Sequence, residues 1–165
     1  RMPVIAAIGG AAYAAYEVYF HLNRLPANSN PEFNHTEAEK IADLSLFQEP
    51  WDSIEFSFQN SPAILVQLPQ AISGGLNYQD RYFAAFSRFC THQGCIVSLN
   101  KNLEAIAVAF NYRTDEPTLT CQCHFSAFSM TLAGQAVSGP AVKPLPRIRL
   151  ELREQTLYAT GIEQT

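Results

Sequence analysis

Apolar and polar positions change rhythm twice along the chain. Met2–Phe20, MPVIAAIGGAAYAAYEVYF, is nearly continuous apolar sequence with one formal charge, Glu17. As a helix it would span about 28 Å, close to the roughly 30 Å of a hydrocarbon core. Gly9, Gly10, Ala11, Ala12, Ala14 and Ala15 would let another helix approach closely. Tyr13, Tyr16, Tyr19 and Phe20 crowd the C-terminal end, where interfacial aromatics sit. The pattern predicts a transmembrane anchor over residues 1–21. A secretory signal and a buried or partner-facing helix are the competing readings of the same stretch. Residues 22–36 carry Pro26, Pro31 and four asparagines, which is linker composition. Thr36–Ala42 reads as a short helical cap and turn, and the hinge or linker is taken as 22–49.

From residue 50 the helical period disappears. Ser53–Phe58 alternates as SIEFSF, and Ala63–Leu68 is a β-rich apolar run. Ser73-Gly74-Gly75 marks a turn. Ala105–Tyr112, Phe128–Leu132, Arg147–Leu152 and Gln155–Thr160 are further strand candidates, the last two a hairpin. Many short strands between turn signals predict an all-β antiparallel sandwich or small barrel over residues 50–163.

Composition narrows the function. Hydrophobic residues are 47% and charged residues only 16%, against about 25% in an average domain. This is the balance of a folded chain rather than a disordered one. The net charge is −4 and no Lys/Arg run occurs, which argues against nucleic acid as a partner.

The chemistry is concentrated in two boxes. The first is Cys90-Thr91-His92-Gln93-Gly94-Cys95, the second Cys121-Gln122-Cys123-His124-Phe125-Ser126. Two Cys and two His would satisfy a tetrahedral zinc ion. Six candidate ligands are present, two more than zinc requires. The second box is C-x-C-H rather than C-x-x-C-H, so haem attachment is not indicated, and a C-x-x-C redox pair is absent.

C-T-H-x-G-C followed by C-x-C-H-x-S resembles the paired boxes of Rieske [2Fe–2S] proteins. Ser138-Gly139-Pro140-Ala141-Val142 resembles the proline loop that covers the cluster in that family. The resemblance spans roughly residues 50–163, with cluster-binding loops at about 88–142. It implies a Rieske-type antiparallel β-sandwich with a cluster-binding subdomain, here preceded by a single N-terminal transmembrane helix. Carried over, Cys90 and Cys121 would hold one iron and His92 and His124 the other, while Cys95 and Cys123 would form a disulfide. Imidazole in place of thiolate on one iron raises the potential. A lasting disulfide implies an oxidising compartment, so the soluble domain is expected on the periplasmic or lumenal side of a membrane.

Several positions around the expected cluster tune it or depart from the family. Gly94, Ser126 and the loop Gly139, Pro140 and Ala141 match. Phe128 stands where quinol-oxidising members carry a tyrosine that donates to a ligand sulfur, so one donor is missing and the potential is expected to be lower. Gln93 stands at a usual Leu, Phe125 at a usual Gly and Gln122 at a usual Pro, all near the exposed tip. The leading expectation is a membrane-anchored subunit of a cytochrome bc-type complex. It would take one electron from quinol at the cluster tip, beside a cytochrome b-like membrane subunit, and deliver it to a c-type cytochrome. The alternatives are the small subunit of a molybdenum enzyme of the arsenite oxidase kind, which the run around Phe125 also resembles, and a stand-alone carrier.

Overall fold

The computed structural model describes residues 2–164, with side chains from Gly10 onward. The chain opens with helix α1 (Met2–Asn23). Among the described residues no helix is long and apolar enough to cross a membrane. The body consists of β1 (Glu39–Asp43), β2 (Ser53–Phe58), β3 (Ser61–Leu68), β4 (Leu76–Tyr78), β5 (Arg81–Ser87), β6 (Ser98–Asn100), α2 (Leu103–Ala109), β7 (Thr118–Cys121), β8 (Ser126–Ser129), β9 (Gln135–Ser138), β10 (Arg147–Arg153) and β11 (Thr156–Ile162). The larger sheet runs β1-β11-β10-β5-β3-β2, with β4 also paired to β5. The smaller sheet runs β6-β7-β8-β9 and is inserted between β5 and β10. All pairings are antiparallel.

The central strands β3 and β5 are buried on both faces, which is why Ala63–Val66 reads as a continuous apolar run rather than an alternating one. Ile64, Val66 and Leu68 point with Ala84 and Phe86 toward the smaller sheet, meeting Val97, Leu119, Phe128 and Met130. Ala63 and Leu65 point the other way with Phe83 and Ala85, against Phe47, Phe58, Ile148 and Leu157. Two-residue turns close the hairpins at Gln59-Asn60 and Gln79-Asp80, each with both residues at positive φ. Asn and Asp tolerate that left-handed geometry, and its twist matches the flanking strands.

Two expectations need correcting. Ala105–Tyr112 is not a strand. Residues Leu103–Ala109 form α2, capped by Asn102, whose side chain accepts the N–H of Ala105 at 3.0 Å. The run bridges the paired strands β6 and β7 as a short helical connection. Its alanines favour a helix, and within α2 only Ile106 is buried.

Thr36–Ala42 is extended rather than helical, since β1 pairs with β11. The sheet therefore starts well before residue 50. The segment read as a hinge or linker is hydrogen-bonded to the body along its length. Leu25 N–H donates to Val142 O at 2.7 Å, Asn34 N–H to Ile162 O at 3.1 Å, Thr36 N–H to Thr160 O at 3.1 Å, and Gln164 N–H to Glu32 O at 2.9 Å. At Gly161 a Cβ would lie 2.0 Å from Asn34 O, so this crossing admits only glycine.

The fastening is completed by Arg147, which is almost fully buried. Its guanidinium forms a bidentate pair with Glu163 (2.6 and 2.8 Å), and also donates to Asn28 O (2.8 Å) and Ser73 O (2.7 Å). Proline and asparagine composition reads as linker because it signals the absence of helix and strand, not the absence of partners.

Candidate metal centre

The two boxes are the loops β5–β6 and β7–β8, so the strands that carry them fix their separation. In the first, Cys90 N–H donates to Cys95 O (2.7 Å) and Gly94 N–H to Cys90 O (2.8 Å), curling the backbone around the Cys90 side chain. The neck of this loop is closed by Val97 N–H to Arg88 O and by Arg88 Nε to Val97 O, both 2.8 Å. In the second, Cys121 lies opposite Ser126 in the β7–β8 hairpin, so the four residues between them form its tip.

Phe125 sits in that tip at φ +59°. A left-handed conformation costs a non-glycine residue about 1–2 kcal/mol. This explains the glycine expected there. The Phe125 ring also stacks edge-on against Phe110, just past the end of α2, at 5.8 Å.

The loops bring all six expected residues to one end of the molecule. Cys95 and Cys123 are disulfide-bonded. Cys90 and Cys121 are free and buried. The rings of His92 and His124 meet edge-to-face at 4.8 Å between centroids. His92 is half-buried, while His124 is exposed at the tip with Gln93 and Phe125. The sulfurs of Cys95, Cys121 and Cys123 lie within 4.8 Å of one another, but two of them are spent in the disulfide. Cys121 and Cys90 are therefore the thiols available to metal.

The electrostatics suit ligation. Burial pushes the Cys90 thiol pKa up and neighbouring Cys121 adds to this, while backbone N–H groups of His92 and Gln93 pull it down. A bound cation reverses the balance and takes the thiolate. Burial, then the charge of His124, pushes His92 down, so its imidazole is neutral with a lone pair free. His92 Nδ1 is buried with no hydrogen-bond partner in the protein. Such an orphan is costly unless something absent from the protein atoms satisfies it. Two thiols, two imidazoles and an orphaned nitrogen fit a metal centre.

Gly139–Val142 closes over the site. Gly139, at φ +75°, lies so tightly on the second box that a Cβ would meet Phe125 O at 2.5 Å. Ala141 is fully buried, and its N–H donates to Ser126 Oγ at 3.1 Å. Ser126 therefore keeps its own hydroxyl proton free. Thr91 Oγ1 donates to Lys143 O (2.7 Å), tying the first box to the far end of this loop. Phe128 is wholly buried in the core shared with Cys90 and Cys121 and offers no donor. The fastenings made by Thr91, Arg88 and Arg147 carry no motif, and sequence spacing gave no sign of them.

This fold and donor set define a β-sandwich metal-binding module with paired Cys/His loops. Four such donors would also satisfy zinc, and comparison with known proteins separates the two. Residues 65–149 match the Rieske [2Fe-2S] domain. The chain belongs to this family, and its cofactor is the Rieske-type [2Fe–2S] cluster.

A putative respiratory nitrate reductase subunit Rieske from Haloferax mediterranei is 32% identical over 130 residues, covering 76% of this chain and 50% of the relative. The iodate reductase subunit IdrB of Pseudomonas sp. is 30% identical over 127 residues, covering 75% and 59%. The cytochrome bc1 complex Rieske iron-sulfur subunit of Corynebacterium diphtheriae is 34% identical over 86 residues, covering 52% and 18%. The chain thus spans little more than half the length of even the first two. The soluble domain of Rieske protein II from Sulfolobus acidocaldarius shares the fold, with a TM-score of 0.57 at 21% identity over 82% of each chain.

Proposed function

We propose that the chain is the one-electron relay of a larger oxidoreductase complex. Cys90 and Cys121 hold one iron and His92 and His124 the other, while the Cys95–Cys123 disulfide locks the two loops at a fixed spacing. The observation that carries this reading is the convergence of two buried free thiols and two facing imidazoles, one with an orphaned Nδ1, from separate hairpins. When bound, the cluster accepts and releases single electrons at a potential raised by its imidazole ligands. The protein holds those ligands rigidly, excludes water from the sulfur side with Ala141, Val97 and Leu119, and aims the Ser126 hydroxyl inward. His124 is the exposed ligand, so electrons exchange with partners at the Gln93–His124–Phe125 tip.

The complex we favour is the kind in which the relay stays fixed, as the small subunit of an enzyme of the arsenite oxidase kind, partnered by a molybdenum subunit. Three observations support it. The 22–36 segment is stitched down rather than free to swing. Phe128 leaves the cluster without the donor a high-potential quinol oxidase uses. The relatives named as nitrate and iodate reductase subunits cover three quarters of this chain.

A second reading keeps the cytochrome bc-type role, from quinol to a c-type cytochrome with α1 as membrane anchor. It is favoured by the cytochrome bc1 relative over 86 residues. The disulfide supports an oxidising compartment under either reading.

Iron and acid-labile sulfide analysis with EPR of the reduced protein tests the ligands; zinc without sulfide refutes them. Mild purification with subunit identification tests the complex. A molybdopterin-binding partner supports the fixed relay, and a cytochrome b partner the second reading.

A further inference from the structure

Arg24 lies one residue beyond α1, far in sequence from every cluster motif. The fold nevertheless brings its guanidinium to the cluster's cover, where it donates to Gly139 O at 3.1 Å across 115 residues. The next residue grips the other end of the same loop through Leu25 N–H to Val142 O. Gly139 in turn presses on the backbone of Phe125 and Ser126, immediately after the ligand His124. Arg24 and Leu25 therefore clasp both ends of the covering loop onto the second box.

The charge of Arg24 is poorly neutralised. It takes part in none of the four ion pairs found among the described residues. Glu17, in the same groove, is the acid that faces it, beyond ion-pair distance. Its Nε is buried without a partner. A half-buried, unpaired cation is weakly screened and acts on its neighbours more strongly than a surface one.

We propose that Arg24 is a positioning residue for the [2Fe–2S] centre. It clasps the covering loop shut, and its positive charge stabilises the reduced, more negative cluster and so raises the potential. The inference rests on the ligand assignment above. It implies that a partner displacing α1 would loosen the cover and lower the potential together.

The test uses the full chain carrying its cluster, with Arg24→Gln, Arg24→Lys and the remote, exposed Arg153→Gln as comparison. Two quantities are read: the midpoint potential from an EPR-monitored titration, and exchange of the hydrogen-bonded amides of Leu25 and Ala141. Arg24→Gln is expected to lower the potential and speed exchange roughly tenfold, the value of one charge-assisted hydrogen bond. Arg24→Lys restores the potential by restoring the charge. The proposal is overturned if Arg24→Gln leaves both quantities at wild-type values. It is equally overturned if Arg153→Gln shifts the potential as far, or if Arg24→Lys stays as low as Arg24→Gln. A wild-type protein without iron and sulfide overturns the ligand assignment instead, and exchange in that metal-free protein still reads the clasp.

Discussion

Replacing Glu163 by Gln tests whether the 22–36 segment is a strap or a tether. Glu163 accepts two side-chain hydrogen bonds from Arg147 and one from the Arg147 backbone N–H at 3.1 Å. The two side chains are only 1% and 5% exposed. Removing one charge from a buried pair leaves the other uncompensated, at about 3–5 kcal/mol. For a domain of this size each kcal/mol moves the melting temperature by about 2–4 °C, so Glu163→Gln should melt roughly 10 °C lower.

The double variant Arg147→Met/Glu163→Leu removes both charges and should regain most of that stability, because an apolar pair of similar volume avoids the desolvation cost. It cannot restore the Arg147 bonds to Asn28 O and Ser73 O. The amides of Asn34 and Thr36, which belong to the strap, should therefore exchange faster in the double variant even where its melting temperature recovers. Thermal unfolding and residue-resolved hydrogen exchange read the two effects separately. A loss below about 1 kcal/mol in Glu163→Gln would refute the buried-pair reasoning. Wild-type protection of Asn34 and Thr36 in the double variant would refute the claim that Arg147 holds the strap.

Three further outcomes follow from the same geometry. Cys95→Ala/Cys123→Ala opens a cross-link between residues 28 apart, a loop-closure cost of about 3.6 kcal/mol on the chain-entropy relation; denaturant unfolding under oxidising conditions should show most of it, and an unchanged midpoint would contradict it. Phe128→Tyr should raise the cluster's midpoint potential by adding a donor in the core shared with Cys90 and Cys121, the proposed ligand thiols, and a redox titration giving an equal or lower value rejects that role. The Asp52 carboxylate accepts the N–H groups of Gln48 and Glu49, which hold its pKa below the usual carboxylate range. Its contribution to stability is therefore present above the unfolded-state pKa and lost as pH falls through the lower folded-state value. The stability difference between wild type and Asp52→Asn should accordingly shrink as unfolding is measured at progressively more acid pH.

The sequence by itself determined the chemistry. Cys90, His92, Cys121 and His124, the proposed ligands, sit in short loops whose order and spacing are local properties, and the β-rich runs at Ser53–Phe58, Ala63–Leu68 and Arg147–Leu152 announced the larger sheet. Period-2 patterning and box spacing survive into the fold because both depend on neighbours a few residues away.

Tertiary structure decided what depends on distant partners. Ala105–Ala109 became helix where the Asn102 side chain caps its first turn and Ile106 alone of the helix is buried in the body. Whether 22–36 hung free or lay bound turned on carbonyls and amides of Val142, Thr160 and Ile162, and on Arg147, more than a hundred residues away. A proline- and asparagine-rich stretch carries no local record of such bonds, since its own backbone groups are unpaired until the rest of the sheet arrives to meet them.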